Sequence, residues 1–267
     1  MQYSTLGNTG IEVSRLCFGG LIIGPLQANL PVGQGADVIV KAFELGINFI
    51  DTAELYDTYP YIREAIKRSG VKPVIASKSY AYTAEGAAKS LEKARREMDV
   101  DLVDIFMLHE QESRLTLKGH REALEYYIAA KEKGLIRAVG VSTHNIEVVE
   151  ACAEMPEIDV IHPIINRKGI GIGDGTIDQM LAAVKKAFDR GKGIYGMKPL
   201  GGGNLLSSFE ESMNFVLSIP YIHSIAVGMQ SIEEVIMNVA VFNNEEVPED
   251  IKNSLSRKRR RLHIDYW

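Results

Sequence analysis

Residues 46–56 read Gly-Ile-Asn-Phe-Ile-Asp-Thr-Ala-Glu-Leu-Tyr. The apolar run Ile47 to Ile50 has the length and composition of a short buried strand, and it stops at a carboxylate, Asp51. Tyr56 follows on the loop, five residues after Asp51. The same design recurs along the chain: an apolar run, one polar residue at its end, then a stretch with helical spacing.

Working outward, residues 2–13 predict a small hairpin around Gly7-Asn8-Thr9-Gly10, and residues 15–20 predict a first strand ending in Gly19 and Gly20. Helices are expected over 36–45 and 62–68, stopped by Gly46 and Gly70. Val74 to Ser77 predicts a strand ending in Lys78, and Leu102 to Leu108 one ending in His109. Apolar positions 84, 87, 88, 91, 94 and 98 mark one helix face between them. Strands over 136–141, 160–165, 193–196 and 222–227 end at or lead into Ser142, Asn166, Met197 and Gly228. Helices over 120–133, 146–153, 177–188, 208–218 and 231–242 separate or follow them.

These make eight strand-then-helix units in about 240 residues. The strands are apolar on both faces, as parallel strands covered by helices must be. The expected fold is α/β, a (β/α)8 TIM barrel over residues 1–243 with a short N-terminal β-hairpin, followed by a helical, basic tail over 244–267. The competing doubly wound sheet needs a glycine-rich phosphate loop after its first strand. The run from Gly169 to Gly175 neither fits that pattern nor opens the first helix, and reads as a flexible loop.

Composition narrows the function classes. Apolar residues make up 46% and charged residues 24%, with a net charge of −5 and a pI near 5.8. That balance gives no general attraction to nucleic acid or to an anionic membrane. The run Arg257-Lys258-Arg259-Arg260-Arg261 is the exception, and reads as a solvated face. Cys17 and Cys152 are far apart and lack metal-ligand spacing. No metal site is expected. No signal pattern opens the chain, and no apolar run reaches the roughly 20 residues that cross a bilayer. A cytoplasmic location follows as the expectation.

In a barrel of this kind the polar strand endings share one mouth, at the C-terminal ends of the strands. Asp51, Lys78 and His109 close successive strands, 27 and 31 residues apart, and Tyr56 lies on the loop between the first two. Singly, each has an ordinary reading: a turn cap, a solvated rim lysine, a structural histidine, a packed tyrosine. Together they suit proton delivery to a carbonyl. A phenol is a poor acid at neutral pH, an adjacent ammonium favours its phenolate, and a carboxylate holds the ammonium in place. Tyr56 is thus the expected general acid, Lys78 its electrostatic modifier, Asp51 the lysine's partner and His109 the group orienting the carbonyl. None of these side chains supplies hydride, so a nicotinamide must.

These segments, GINFIDTAELY, VIASK and DIFMLHE, resemble the motifs of the aldo-keto reductases around an Asp, Tyr, Lys and His tetrad, and the resemblance runs over roughly residues 2–243. It implies a (β/α)8 barrel that reversibly reduces aldehydes or ketones with NADP(H), the usual cofactor of that family. It also implies cofactor contacts. Gly19, Gly20 and Asp51 would lie beneath the nicotinamide ribose, and Ser142 and Thr143 would hold the carboxamide, with Thr143 where Asn is more common. His162 stands where a carboxamide-binding Gln is common, and Met197 where a ring-stacking Tyr is common. Lys198 and Leu200 would follow the pyrophosphate. Gly228, Met229, Gln230, Glu234 and Asn238 would surround the adenosine end, without the cation that grips a 2′-phosphate. That departure leaves NAD(H) use more open than usual, although Ser231 to Glu234 also reads as a capping box.

KPLGGGNL and the short loops resemble a subgroup with a C-terminal ferredoxin-like segment, and residues 261–267 resemble the lead into its first cluster cysteine. A chain ending just before an iron–sulfur module or redox partner is the expectation there. Short loops also imply a shallow, open pocket for small or varied carbonyl compounds. Two other classes compete: a catalytically weak barrel serving as a binding subunit, against which the intact tetrad stands, and a barrel isomerase or aldolase forming a Schiff base at Lys78, which leaves Tyr56 unexplained.

Overall fold

The computed structural model describes residues 1–254. Two short strands, β1 (Tyr3–Thr5) and β2 (Glu12–Ser14), pair antiparallel as the expected hairpin. Eight parallel strands then close a barrel: β3 (Leu16–Gly19), β4 (Phe49–Asp51), β5 (Val74–Ser79), β6 (Val103–Gln111), β7 (Ile136–Thr143), β8 (Val160–Pro163), β9 (Gly193–Gly196) and β10 (Ser224–Gly228). β10 returns to pair with β3, in register from Ile225 opposite Leu16 to Gly228 opposite Gly19. The strands are buried almost throughout, because helices cover the outside and side chains fill the lumen.

The helices follow the apolar stripes: α1 (Val32–Glu44), α2 (Tyr59–Ser69), α3 (Ala84–Met98), α4 (Arg114–Gly119), α5 (Arg121–Glu132), α6 (Ile146–Glu154), α7 (Ile177–Asp189), α8 (Phe209–Leu217) and α9 (Ile232–Phe242). Gly70 ends α2 at φ +70°, a left-handed turn that only glycine adopts without strain. Several boundaries depart from the expectation: α2 starts at Tyr59 rather than Ile62, and β6 runs past His109 to Gln111. α1 starts at Val32, before its apolar stripe, because Pro31 sits at its N-cap and Gly33 to Gly35 carry no periodic signal. α4 is unpredicted; it is one short turn opened by a Ser113–Thr116 capping box, with Thr in place of the usual Glu or Gln. β8 stops as a regular strand at Pro163 rather than running to Ile165, but pairing goes on beyond it: Ile164 bridges Met197, and Ile165 N donates to the Met197 carbonyl at 3.0 Å.

Two cores result. The larger lies between the strands and the helices. The smaller fills the lumen, where Leu6, Ile11 and Val13 of the hairpin cluster with Cys17, Phe49, Ala76, Ile105, Met107 and Tyr195. The hairpin therefore plugs the N-terminal end of the barrel, and the C-terminal end is left for a site. Also near the plugged end, buried Lys192 donates to the carbonyls of Met155 and Ile158 at 2.6 and 2.7 Å, closing the turn after α6. Lys192→Met strands the Ile158 carbonyl, while the Met155 carbonyl keeps the Ile158 N–H at 3.2 Å, and it is expected to lower stability by about 1–3 kcal/mol, measurable by denaturant unfolding. An unchanged midpoint would mean that solvent satisfies the Ile158 carbonyl.

Among the described residues, no helix is long and apolar enough to cross a membrane, and no cluster of three or more His, Cys, Asp or Glu could hold a metal ion. Residues 249–254 are helical. The basic run 257–261 and the stretch 261–267 lie outside the described residues.

Candidate active site

Asp51 is the last residue of β4 and Lys78 the next-to-last of β5, so parallel pairing of the two strands brings their side chains together. Both are buried, at 6% and 1% exposure. The Lys78 ammonium lies 2.9 Å from each Asp51 oxygen and also donates to the Thr52 carbonyl at 2.7 Å. It sits 4.9 Å from the centroid of the Tyr56 ring. Burial works against its charge, but Asp51 and then Tyr56 outweigh that, and the Lys78 pKa is raised above the ordinary lysine value.

Tyr56 is presented by a 3-10 turn, Glu54–Tyr56. That turn is pinned on two sides. The Glu54 carboxylate accepts from Ser90 Oγ of α3 at 2.7 Å, and the Thr52 and Thr58 hydroxyls meet at 2.7 Å beneath it. His109 lies edge-on to Tyr56, with ring centroids 5.7 Å apart. The four residues expected to act together do converge at one mouth.

Their electrostatics refine the expectation for the phenol. Burial raises the Tyr56 pKa most; Lys78 lowers it, while Asp51 and Glu110 raise it further. The balance is upward, not the downward shift that Lys78 alone would give. The phenol is therefore protonated at rest, the form a proton donor must hold, and the Lys78 ammonium is placed to oppose that upward shift. Burial, with Lys78 next, drives the His109 pKa down to about 2, so its imidazole is neutral at ordinary pH. The thiol of Cys17, in the lumen below, is pushed well above its usual value by burial, so it is not a reactive thiol.

A polar arc at the mouth joins Ser142 and Lys198 to three residues that were not foreseen, Tyr80, Glu110 and His144. The Tyr80 ring stacks on His109, with centroids 4.4 Å apart, and its hydroxyl donates to Glu110. Glu110 stands at φ +46° and donates its N–H to Ser142 Oγ at 2.8 Å. The Lys198 ammonium, at φ +55°, donates to His144 Nε2 at 3.1 Å, which makes His144 a neutral acceptor. Backbone strain of this kind gathers at functional sites. An open cleft of about 410 Å³, lined by Leu55, Tyr80 and Ala81 among others, flanks the mouth.

The residues implied as cofactor contacts are distributed unevenly. Gly19 and Gly228 end adjacent strands side by side, with Gly20 next to Gly19; a Cβ at these three would meet Val227, Ile22 and Asp51 respectively, at 2.9 to 3.2 Å, so the glycines let neighbouring segments pack closely. The Thr143 hydroxyl donates to the Gln111 carbonyl at 2.6 Å and accepts from Asn145 N at 2.9 Å, so local structure uses it. His162 is 2% exposed and turned inward: its Nδ1 meets the Tyr195 carbonyl at 2.7 Å and its Nε2 lies 3.6 Å from Asp51 Oδ1. Burial lowers its pKa to about 4. Met197 and Leu200 are half-buried against the outer core, and Met229 is fully buried in it. Ser231 Oγ accepts from Glu234 N at 3.4 Å, but the Glu234 carboxylate accepts from Gln230 N at 2.9 Å, one residue earlier than a capping box requires. Asn166 Oδ1 accepts from Lys168 N and Ile170 N, which anchors one end of the glycine-rich loop.

Among the described residues, four buried polar side-chain atoms have no partner: His109 Nδ1, Gln111 Oε1, Arg167 Nε and Asn238 Oδ1. Orphans of this kind, two at the mouth, one on the loop after β8 and one on α9, fit a polar ligand laid across the C-terminal ends of the strands, as a nicotinamide dinucleotide would be.

Comparison with known proteins agrees with the fold. The chain is 23% identical to an L-galactose dehydrogenase of Arabidopsis thaliana over 92% of its own length and 89% of the relative's. It is also 23% identical to an uncharacterized oxidoreductase, YqkF, of Bacillus subtilis, over 94% of each. The holo form of an aldo-keto reductase from Bacillus halodurans shares the fold with a TM-score of 0.77 at 18% identity, over 96% of each chain. The model of the aldo/keto reductase family matches residues 15–216, which span seven of the eight barrel strands and all four mouth residues, and the chain belongs to that family.

Proposed function

We propose that the protein is an oxidoreductase that reduces aldehydes or ketones with a nicotinamide cofactor, with Tyr56 as proton donor. One observation carries this reading: a buried Asp51–Lys78 pair supports a protonated phenol beside a neutral imidazole. The bound cofactor supplies hydride. His109 and Tyr56 hold the carbonyl oxygen between them. As negative charge grows on that oxygen, Tyr56 releases its proton to it, and Lys78 stabilises the phenolate. Asp51 keeps the lysine charged. Gly19, Gly20, Ser142, Lys198, Gln230, Glu234 and Asn238 are the residues through which we propose the cofactor is held. A cytoplasmic location accompanies this reading.

The test is loss of reduced-nicotinamide absorbance by the purified protein with a panel of small aldehydes and ketones. L-galactose belongs in the panel for the reverse direction, because one relative is named for it. No turnover with any member would sink the proposal.

The adenosine end favours NAD(H) over NADP(H) in this reading. The Glu234 carboxylate already occupies an N–H at the start of α9, and a second anion, the 2′-phosphate, would have to approach it. A ribose hydroxyl can donate to the same carboxylate. Fluorescence titration is expected to give NADH the lower Kd, and Glu234→Lys to narrow or reverse the difference by about tenfold. Tighter NADPH binding by the unaltered protein would refute this assignment.

A further inference from the structure

Beneath the mouth the lumen holds one phenol that the proposed reaction does not use. Tyr195, on β9, is fully buried among apolar side chains and lies edge-on to Phe49, with ring centroids 5.0 Å apart. Phenylalanine would fill the same space without taking a hydroxyl out of water. That hydroxyl donates to Asp51 Oδ1 at 2.8 Å, with the Met107 sulfur 3.6 Å away. β9 and β4 are separated in the barrel by β10 and β3, so the bond crosses the lumen.

Tyr195 is itself fixed. Its ring stacks on His162 at 3.8 Å between centroids and 16° between planes, and its carbonyl accepts from His162 Nδ1. A carbonyl only accepts, so the imidazole hydrogen is on Nδ1 and Nε2 is bare. His162 therefore does not donate to Asp51, even though its Nε2 is 3.6 Å from Oδ1. Tyr195 supplies the donor that the carboxylate has besides Lys78.

We infer that Tyr195 is a positioning residue: through Asp51 it fixes where the Lys78 ammonium sits beside Tyr56. The inference rests on the reading of Tyr56 as proton donor. A buried carboxylate can turn about its last side-chain bond. With Oδ1 held from below, both oxygens stay 2.9 Å from the ammonium, and the Thr52 carbonyl holds it from another side at 2.7 Å. Without the Tyr195 hydroxyl, the carboxylate directs its whole charge at Lys78 and draws it from the phenol. The charged groups facing Tyr56 are Lys78, Asp51 and Glu110, with the neutral His109 ring beside it. Among them only the Lys78–Asp51 pair touches Tyr195.

Tyr195→Phe keeps the ring and deletes the bond. Carbon-13 tyrosine NMR, with the Tyr56 signal identified by its loss in Tyr56→Phe, follows the phenol through alkaline pH without any substrate. The variant is expected to ionise Tyr56 later, by about half a pH unit or more. Its kcat is expected to fall about tenfold, with the nicotinamide KM within about twofold. A Tyr56 titration identical to that of the unaltered protein would overturn the inference whatever happened to the melting temperature, because a packing role moves stability alone. If Tyr195→Phe does not fold, His162→Phe retains a stacked ring while releasing the Tyr195 carbonyl, and the same late ionisation is expected. Absence of all carbonyl turnover in the unaltered protein would count against the proposed reaction, while the titration would still decide the role of Tyr195.

Discussion

Tyr56→Phe is expected to lower kcat for carbonyl reduction by about 10²–10⁴-fold and to leave nicotinamide affinity nearly intact. The ring remains to pack against His109, so only the transferable proton is lost. The companion result is a pH profile. Burial, ahead of the opposing Lys78, places the Tyr56 pKa above the ordinary 10, so the donor form persists through neutral and mildly alkaline pH. Reduction is expected to decline only as pH rises through that raised value. His109, held near a pKa of 2, stays neutral over the working range and contributes no inflection near the usual histidine value. Steady-state rates across pH, with constant ionic strength, check both points. Full activity in Tyr56→Phe would move the proton donor to another group. An inflection near pH 6 to 7 in the unaltered protein would show that a histidine titrates in the step.

The mouth was legible because a barrel converts sequence order into geometry. Asp51, Lys78 and His109 each end or nearly end an apolar run, and one strand-and-helix unit separates each from the next. Once the eight units were counted, their meeting at one rim followed. The strands themselves were legible for a related reason: residues buried on both faces leave an uninterrupted apolar run. What could not be read was direction within the lumen. Tyr195 sits in the run Gly-Ile-Tyr-Gly, too short for its alternation to say that the phenol points inward and across to a strand far away in sequence. The Tyr80–Glu110 contact was hidden for another reason. Both residues follow recognised polar positions, and their pairing depends on a left-handed turn at Glu110 that no glycine announces. The net direction of the Tyr56 shift was also beyond sequence, because it weighs burial against charge.

Lys78→Met is the substitution expected to damage both fold and reaction. The carboxylate of Asp51 would remain almost out of water with only the Tyr195 hydroxyl to accept from, and breaking a buried pair from one side costs about 3–5 kcal/mol. Chemical denaturation is expected to show a loss of that size. The Lys78 pKa is raised in the folded protein, so the stabilisation it brings is complete below the unfolded lysine value and fades only as pH rises through the folded one. At neutral pH the penalty is therefore felt in full. Adding Asp51→Asn to Lys78→Met removes the stranded charge, and is expected to recover a large part of the lost stability. It is not expected to recover turnover, since no ammonium then stabilises the Tyr56 phenolate. That split separates the two roles of the pair. A double variant regaining both stability and activity would mean that the phenol needs no cation to give up its proton. One regaining neither would mean that the amide cannot replace the carboxylate between Tyr195 and the Thr52 turn.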